Sequence, residues 1–210
     1  MKKTFLTLAL CAIAATAAEA KSYSVASPNG KLSITIDDAH GITYAVSLDG
    51  QQLIAPSPIS MTIQNGKTLT IGTRLKAGKL QKHEGTIQAT FYKKNLIQDN
   101  YSEQTFQLGD GFSLVVRAYD EGVAYRFIAN QKQDFIVENE QVTFNFAKDW
   151  NTYIPYVNAK GTIEQQFYNS SENTYTHTAL SKTDPQKLSF MPFIVEADGG
   201  VKMVITEADL

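Results

Sequence analysis

The chain has 210 residues, with 19 Lys and Arg against 21 Asp and Glu, a formal net charge of −2 and a single cysteine. This near-balance, with no basic tract, makes nucleic acid a poor candidate partner and gives no support to a charged membrane-surface face. One cysteine rules out an internal disulfide framework, so the fold has to rest on an apolar core, which a chain of this length is able to build.

The N-terminus reads as a leader and not as part of the fold. Met1-Lys2-Lys3 is a short basic start, Leu6 to Ala18 is an apolar run, and Ala18-Glu19-Ala20 places small residues where a signal peptidase reads. The expectation is a signal peptide over residues 1–20, cleaved after Ala20, and a secreted, periplasmic protein. The apolar run is short for a transmembrane helix, so no membrane span is expected. Cys11 raises a lipoprotein alternative, against which Leu10 stands where a small residue is needed. Cleavage would remove Lys2, Lys3, Glu19 and the cysteine, leaving 17 basic and 20 acidic side chains.

From there the chain reads as strands. Apolar residues fall at every second position in Leu32 to Ile36, Tyr44 to Leu48, Ile87 to Phe91 and Val201 to Ile205. Each run is expected to bury one face and wet the other. Phe112 to Ala118 and Val123 to Ile128 are denser and read as central strands covered on both faces. Asn29-Gly30, Asp49-Gly50, Asn65-Gly66, Asp110-Gly111 and Asp198-Gly199-Gly200 are turn sequences whose glycines accept positive φ. No segment holds a helical apolar period over three turns. The fold class is all-β, with antiparallel sheets in a sandwich or barrel. From Trp150 to about Asp184 the chain turns polar and tyrosine-rich, and this stretch reads as one long irregular, functional segment.

Searches for chemistry return mostly negatives. There is no nucleophile elbow, P-loop or dinucleotide fingerprint. His40, His83 and His177 lie far apart, without zinc spacing. Glu138 and Glu140 would share a face of one strand and read as a solvated edge. Asp120 and Glu121 precede Gly122 in an expected turn. Glu164 stands among Trp150, Tyr153, Tyr156, Phe167, Tyr168 and Tyr175, a composition suited to a saccharide cleft. Composition alone still favours an ordinary surface glutamate there.

Several short elements, taken in order, resemble the N-terminal domain of glycoside hydrolase family 97. They are Ser27-Pro28-Asn29-Gly30-Lys31-Leu32, Ser57-Pro58-Ile59, Tyr101-Ser102-Glu103, the run from Arg117 to Phe127, and Thr206 to Leu210. The resemblance implies a β-super-sandwich of the galactose-mutarotase-like type over residues 21–210, incomplete at its C-terminal end. It implies an α-glucosidase or α-galactosidase acting on α-linked oligosaccharides and dependent on Ca2+. The catalytic carboxylates would sit on a following (β/α)8 barrel, so no catalytic residue is expected in this chain. Ile154-Pro155 and Thr162-Ile163-Glu164 resemble the stretch that carries a calcium-binding glutamate, which makes Glu164 the metal candidate. Ile163 departs from the family's aromatic or polar residue at that point, and Phe167 from its tyrosine. The expectation is a domain inactive alone. The alternatives are a free-standing secreted sugar-binding module or a truncation product without a role of its own.

Overall fold

A computed structural model describes residues 21–207 apart from positions 92, 159 and 171. The expected leader, residues 1–20, lies outside the described residues, as do residues 208–210 of the last resembling segment.

The chain opens with four antiparallel strands, β1 (Ser22–Ala26), β2 (Leu32–Asp37), β3 (Thr43–Leu48) and β4 (Gln51–Ile63). The turn between β3 and β4 puts both Asp49 and Gly50 at positive φ, as a two-residue hairpin with the right twist requires. β4 is long and carries Pro56 and Pro58, which cannot donate to a ladder. It tolerates them because its pairing with β3 is irregular, with register shifts at Val46. Buried Ser57 stitches the break: its hydroxyl donates to the Ala55 carbonyl and accepts from the Asn145 amide.

Short strands follow: β5 (Lys67–Thr68), β6 (Lys76–Ala77), β7 (Gln81–His83), β8 (Thr86–Gln88) and β9 (Leu96–Gln98). Then come β10 (Tyr101–Gly109), β11 (Phe112–Tyr119), β12 (Val123–Ala129) and β13 (Val137–Val142). β13 returns to β4 and completes a six-stranded sheet, β1-β2-β3-β4-β13 with β5 beside β4. The second sheet runs β12-β11-β10, with β6 and β7 both on the far side of β10. The third is β15 (Tyr175–Ala179), β14 (Asn151–Pro155), β16 (Phe193–Glu196) and β17 (Lys202–Ile205), all antiparallel. Between β14 and β15 sits one helical turn, α1 (Ile163–Gln166).

The first two sheets share one core. Leu32, Ile34 and Ile36 of β2 alternate inward with Tyr44 and Val46 of β3, and meet Phe106, Leu114, Val116 and Ala118 of the second sheet. Tyr23 of β1 tilts against Phe106 with ring centroids 5.2 Å apart. Tyr44 buries its ring and donates its hydroxyl to the Thr143 carbonyl at 2.8 Å. A second cluster of Leu53, Trp150, Val195 and Ala197, with Phe193 and Met203 against it, joins the third sheet to β4.

The all-β, antiparallel sandwich expected from the alternation is the fold observed. β2, β3 and β17 occupy the expected runs, and β11 is buried on both faces over Phe112 to Val116. Three expectations need correction. The run from Ile87 to Phe91 buries no face. It starts in a small β8–β9 hairpin paired only to itself, with Ile87 half exposed and Phe91 almost wholly so. Val123 to Ile128 forms an edge strand, whose Val123, Tyr125 and Phe127 pack on the core while the other face stays open to solvent. The polar stretch from Trp150 to Asp184 is not irregular throughout: its flanks pair as β14 and β15, Asn151 opposite Ala179 through Pro155 opposite Tyr175.

Phe106 has no exposed surface, so Phe106→Ala should cost about 3–5 kcal/mol through lost burial and a cavity. Ile87→Ser on the exposed hairpin should change stability by no more than about 0.5 kcal/mol. Urea unfolding of the two variants measures the contrast directly.

Candidate functional site

The tip of the third sheet carries Glu164, and local chemistry explains how it is held. Thr162 is the N-cap of α1. The Gln165 amide donates to the Thr162 hydroxyl, and the Thr162 amide donates to the Gln165 side-chain oxygen at 2.9 Å, a reciprocal capping box. Gly161 precedes it at φ 105°, a conformation that a side chain would strain. Glu164 therefore stands in the first turn of the helix, exposed to solvent. Hydrogen bonds from its own backbone amide and from the Thr162 hydroxyl hold its carboxyl below the ordinary glutamate range, so it is ionised at neutral pH.

What fixes this turn is Gln166, which is 2% exposed. Its side-chain amide donates to the carbonyls of Gly161 at 3.2 Å and Gln186 at 2.8 Å, and its oxygen accepts from the Leu188 amide at 2.8 Å. One side chain thus ties α1 to the segment returning toward β16. Tyr156 adds a second tie, accepting from the Asp184 amide at 2.8 Å. Neither role was legible in composition, although the Thr162-x-x-Gln165 spacing does signal the cap.

The aromatics that flank Glu164 in the sequence divide into three groups. Trp150 and Tyr156 are buried and structural. Tyr153 stacks on His177 at 4.3 Å, and Tyr175 donates its hydroxyl to the Pro192 carbonyl. Phe167 and Tyr168 are the free ones, 67% and 93% exposed. The stacked pair belongs to a polar row across the sheet, in which His177 bonds Glu196 at 2.8 Å and Glu196 pairs with Lys202. Lys202 first, and then His177, hold the Glu196 carboxyl low.

The motif that begins at Arg117 works differently. Arg117 donates to Glu103 at 2.6 Å and to the Tyr119 hydroxyl at 3.3 Å, and lies over the Tyr101 ring at 4.1 Å. Asp120, in the β11–β12 turn, accepts from the Asn29 amide and so ties that turn to the β1–β2 turn. These residues brace sheets and turns. Glu138 and Glu140 lie on β13, which is exposed along its whole length, as expected for a solvated edge. Among the described residues no three of His, Cys, Asp and Glu gather as a metal site. Glu164 therefore offers one carboxylate, which does not by itself fit a calcium ion that takes six to eight oxygens. No helix among the described residues is long and apolar enough to cross a membrane.

Residues 25–210 match the family described as Glycosyl-hydrolase 97 N-terminal. The chain is 38% identical over 214 residues to a retaining alpha-galactosidase of Bacteroides thetaiotaomicron, an alignment spanning all of this chain and 32% of that protein. It therefore spans about a third of the length of that relative. In three dimensions it is similar to a glycoside hydrolase family 97 enzyme from Pseudoalteromonas sp. strain K8 in complex with acarbose. There the TM-score is 0.69 at 20% identity, over 86% of this chain and 27% of that one. It is also similar to a beta-arabinopyranosidase, with a TM-score of 0.76 at 21% identity over 90% of this chain and 32% of that one. At these identities the structural likeness speaks for a shared fold.

Gln166→Leu should leave the Leu188 amide and two carbonyls without partners, at a cost of about 1–3 kcal/mol. Amide exchange should quicken over residues 160–169 and 183–190, while Glu164→Gln leaves both exchange and stability near wild type. Hydrogen–deuterium exchange with mass spectrometry reads both.

Proposed function

This chain belongs to the glycosyl-hydrolase 97 N-terminal family, and we propose that it serves as the N-terminal, carbohydrate-binding-type domain of an exported exo-α-glycosidase. In this reading it packs on a catalytic (β/α)8 barrel, which supplies the acid, base and nucleophile. Among the described residues the sheets are antiparallel and none is a (β/α)8 unit, the scaffold that would carry the paired carboxylates of glycosidic chemistry in this reading. The α-galactosidase activity of the Bacteroides relative favours an α-galactoside over an α-glucoside as substrate.

The observation that carries this reading is the mounting of Glu164. An ionised carboxylate stands on a capped turn held by the buried Gln166, and among the described residues it belongs to no cluster of three or more metal-ligating side chains. Rigidity of that kind suits a group that completes a site shared with another domain. Glu164 would contribute one ligand to a Ca2+ ion, with the remaining carboxylates supplied by the barrel.

A second reading has its own support. Phe167 and Tyr168 present free rings beside Glu164, as a self-contained sugar-binding module would.

Calorimetry on the whole enzyme, barrel included, separates the two. Glu164→Gln should weaken calcium binding about tenfold or more, with hydrolysis falling alongside, while Phe167→Ala and Tyr168→Ala leave calcium affinity unchanged. Unchanged calcium affinity and activity in Glu164→Gln would remove the metal role. Oligosaccharide binding lost only with the two aromatic variants would favour the module.

A further inference from the structure

Asp38 is the carboxylate that the fold buries most thoroughly among its described ion pairs, with no side-chain surface exposed. One of its oxygens accepts from the Lys21 main-chain nitrogen at 3.0 Å and from the Arg74 guanidinium at 3.1 Å. The other accepts from the Leu75 amide at 2.9 Å. The Asp38 amide in turn donates to the Lys21 carbonyl at 3.3 Å, so both main-chain groups of Lys21 are bonded to this one residue. Burial pushes the Asp38 carboxyl up. The Lys21 and Leu75 amides and the Arg74 guanidinium outweigh that and hold it below the ordinary aspartate range.

Lys21 is also the residue that cleavage after Ala20 would leave at the front of the chain. Hydrolysis of the Ala20–Lys21 bond consumes one water. Ala20 departs with a carboxylate, and the Lys21 nitrogen becomes a primary amine that takes up a proton. We propose that leader removal is registered by the fold itself: the new α-ammonium of Lys21 forms an ion pair with buried Asp38 and locks β1 onto the sandwich. The proposal rests on the cleavage that the export reading includes. It adds a consequence for stability which that reading does not contain.

The position of Lys21 makes the lock matter. It leads directly into β1, an edge strand whose Val25 is fully buried and whose Tyr23 packs on Phe106 and reaches the Leu75 carbonyl. An amide donates to Asp38 with a partial charge, whereas an ammonium at the same 3.0 Å brings a full one, and charge-assisted bonds are roughly twice as strong. The other charged or titratable groups nearby are few. Arg74 shares Asp38 but is half exposed and also donates to the Asp38 carbonyl. Asp37 is engaged by the Ala39 amide, and His40 is exposed on the cleft beside Asp38.

The pH dependence has a definite sign. Pairing raises the α-amine above its unfolded value of about 7.7–8.0, so its contribution is complete below that pH and fades as pH rises through the folded value. Asp38 is depressed, so the pair fades again as pH falls below the ordinary aspartate range. The stabilising window therefore runs from roughly pH 4–5 to pH 8.

Two forms of the chain test this. One begins at Lys21, released without a scar from an N-terminal fusion; the other keeps Glu19-Ala20 in front of it. At pH 6 the Lys21 form should melt about 2–8 °C higher, and the gap should close above about pH 9–10. Asp38→Asn should abolish the gap. Since that variant also disturbs Arg74 and Leu75, the α-amine of wild-type Lys21 should be titrated by 15N NMR and found above about 8.5. Equal melting at pH 6 with an α-amine at its ordinary value overturns the pairing. The intact mass of the exported protein checks the premise separately: a start at Lys21 supports the proposal, and any other start overturns it whatever the melting curves show.

Discussion

Phe106, Leu114 and Val116 meet Ile34 and Ile36 in the shared core of the first two sheets, and the sandwich of those sheets rests on that contact. With a single cysteine in the sequence, no internal disulfide backs it up. Each fully buried Val, Leu, Ile or Phe contributes about 1.5–3 kcal/mol. The inward faces of β2, β3 and β10 and the doubly covered β11 gather such residues in one layer, and their burial works against the entropy of ordering long-range strands. Because the inner faces carry this task, the outer faces are free for polar work. On the second sheet that work is bracing, through Arg117, Glu103 and the rings around them.

The third sheet extends the domain through its own smaller core of Leu53, Trp150, Val195 and Ala197. Its loop from β14 to β15 holds the one carboxylate with a proposed role outside the domain. The chain of causes is short. Thr162 and Gln165 nucleate a single helical turn, and Gln166 anchors it to the returning strand. Glu164 is left ionised and facing solvent. A four-residue helix is far too short to persist by itself. It exists because a buried glutamine satisfies three backbone groups around it.

Legibility in the sequence followed the physics closely. β2, β3 and β11 could be read because strict alternation or dense apolar runs coincided with turn glycines, as at Asp49-Gly50 and Asp110-Gly111. The run from Ile87 to Phe91 shows the same alternation, yet among the described residues its strand pairs only within its own hairpin, and Ile87 and Phe91 stay exposed. Periodicity fixes which side chains share a face and is silent about what covers that face. Val123 to Ile128 looked doubly covered because it is apolar, but it is an edge, and edge position depends on topology. β14 and β15 are not legible because the buried positions of β14 are Thr152 and Pro155, β15 has no fully buried residue, and their pairing spans a loop of nearly twenty residues. Glu164 stood out through family resemblance; its composition marked it only as one surface glutamate among several. Gln166 and Asp38 carried no sequence signal, since burial of a single polar side chain leaves no pattern in its neighbours.

The proposed role divides labour: this sandwich would supply a rigid scaffold and one positioned carboxylate, and the bond-breaking groups would lie on another domain. Turnover of nitrophenyl α-galactoside and α-glucoside by the purified chain, with and without added calcium, addresses that division most directly. No hydrolysis above a heat-killed control, in either condition, is the predicted result. Measurable turnover that survives repurification and is lost on Glu164→Gln would mean that this domain carries catalysis itself, and would contradict the account.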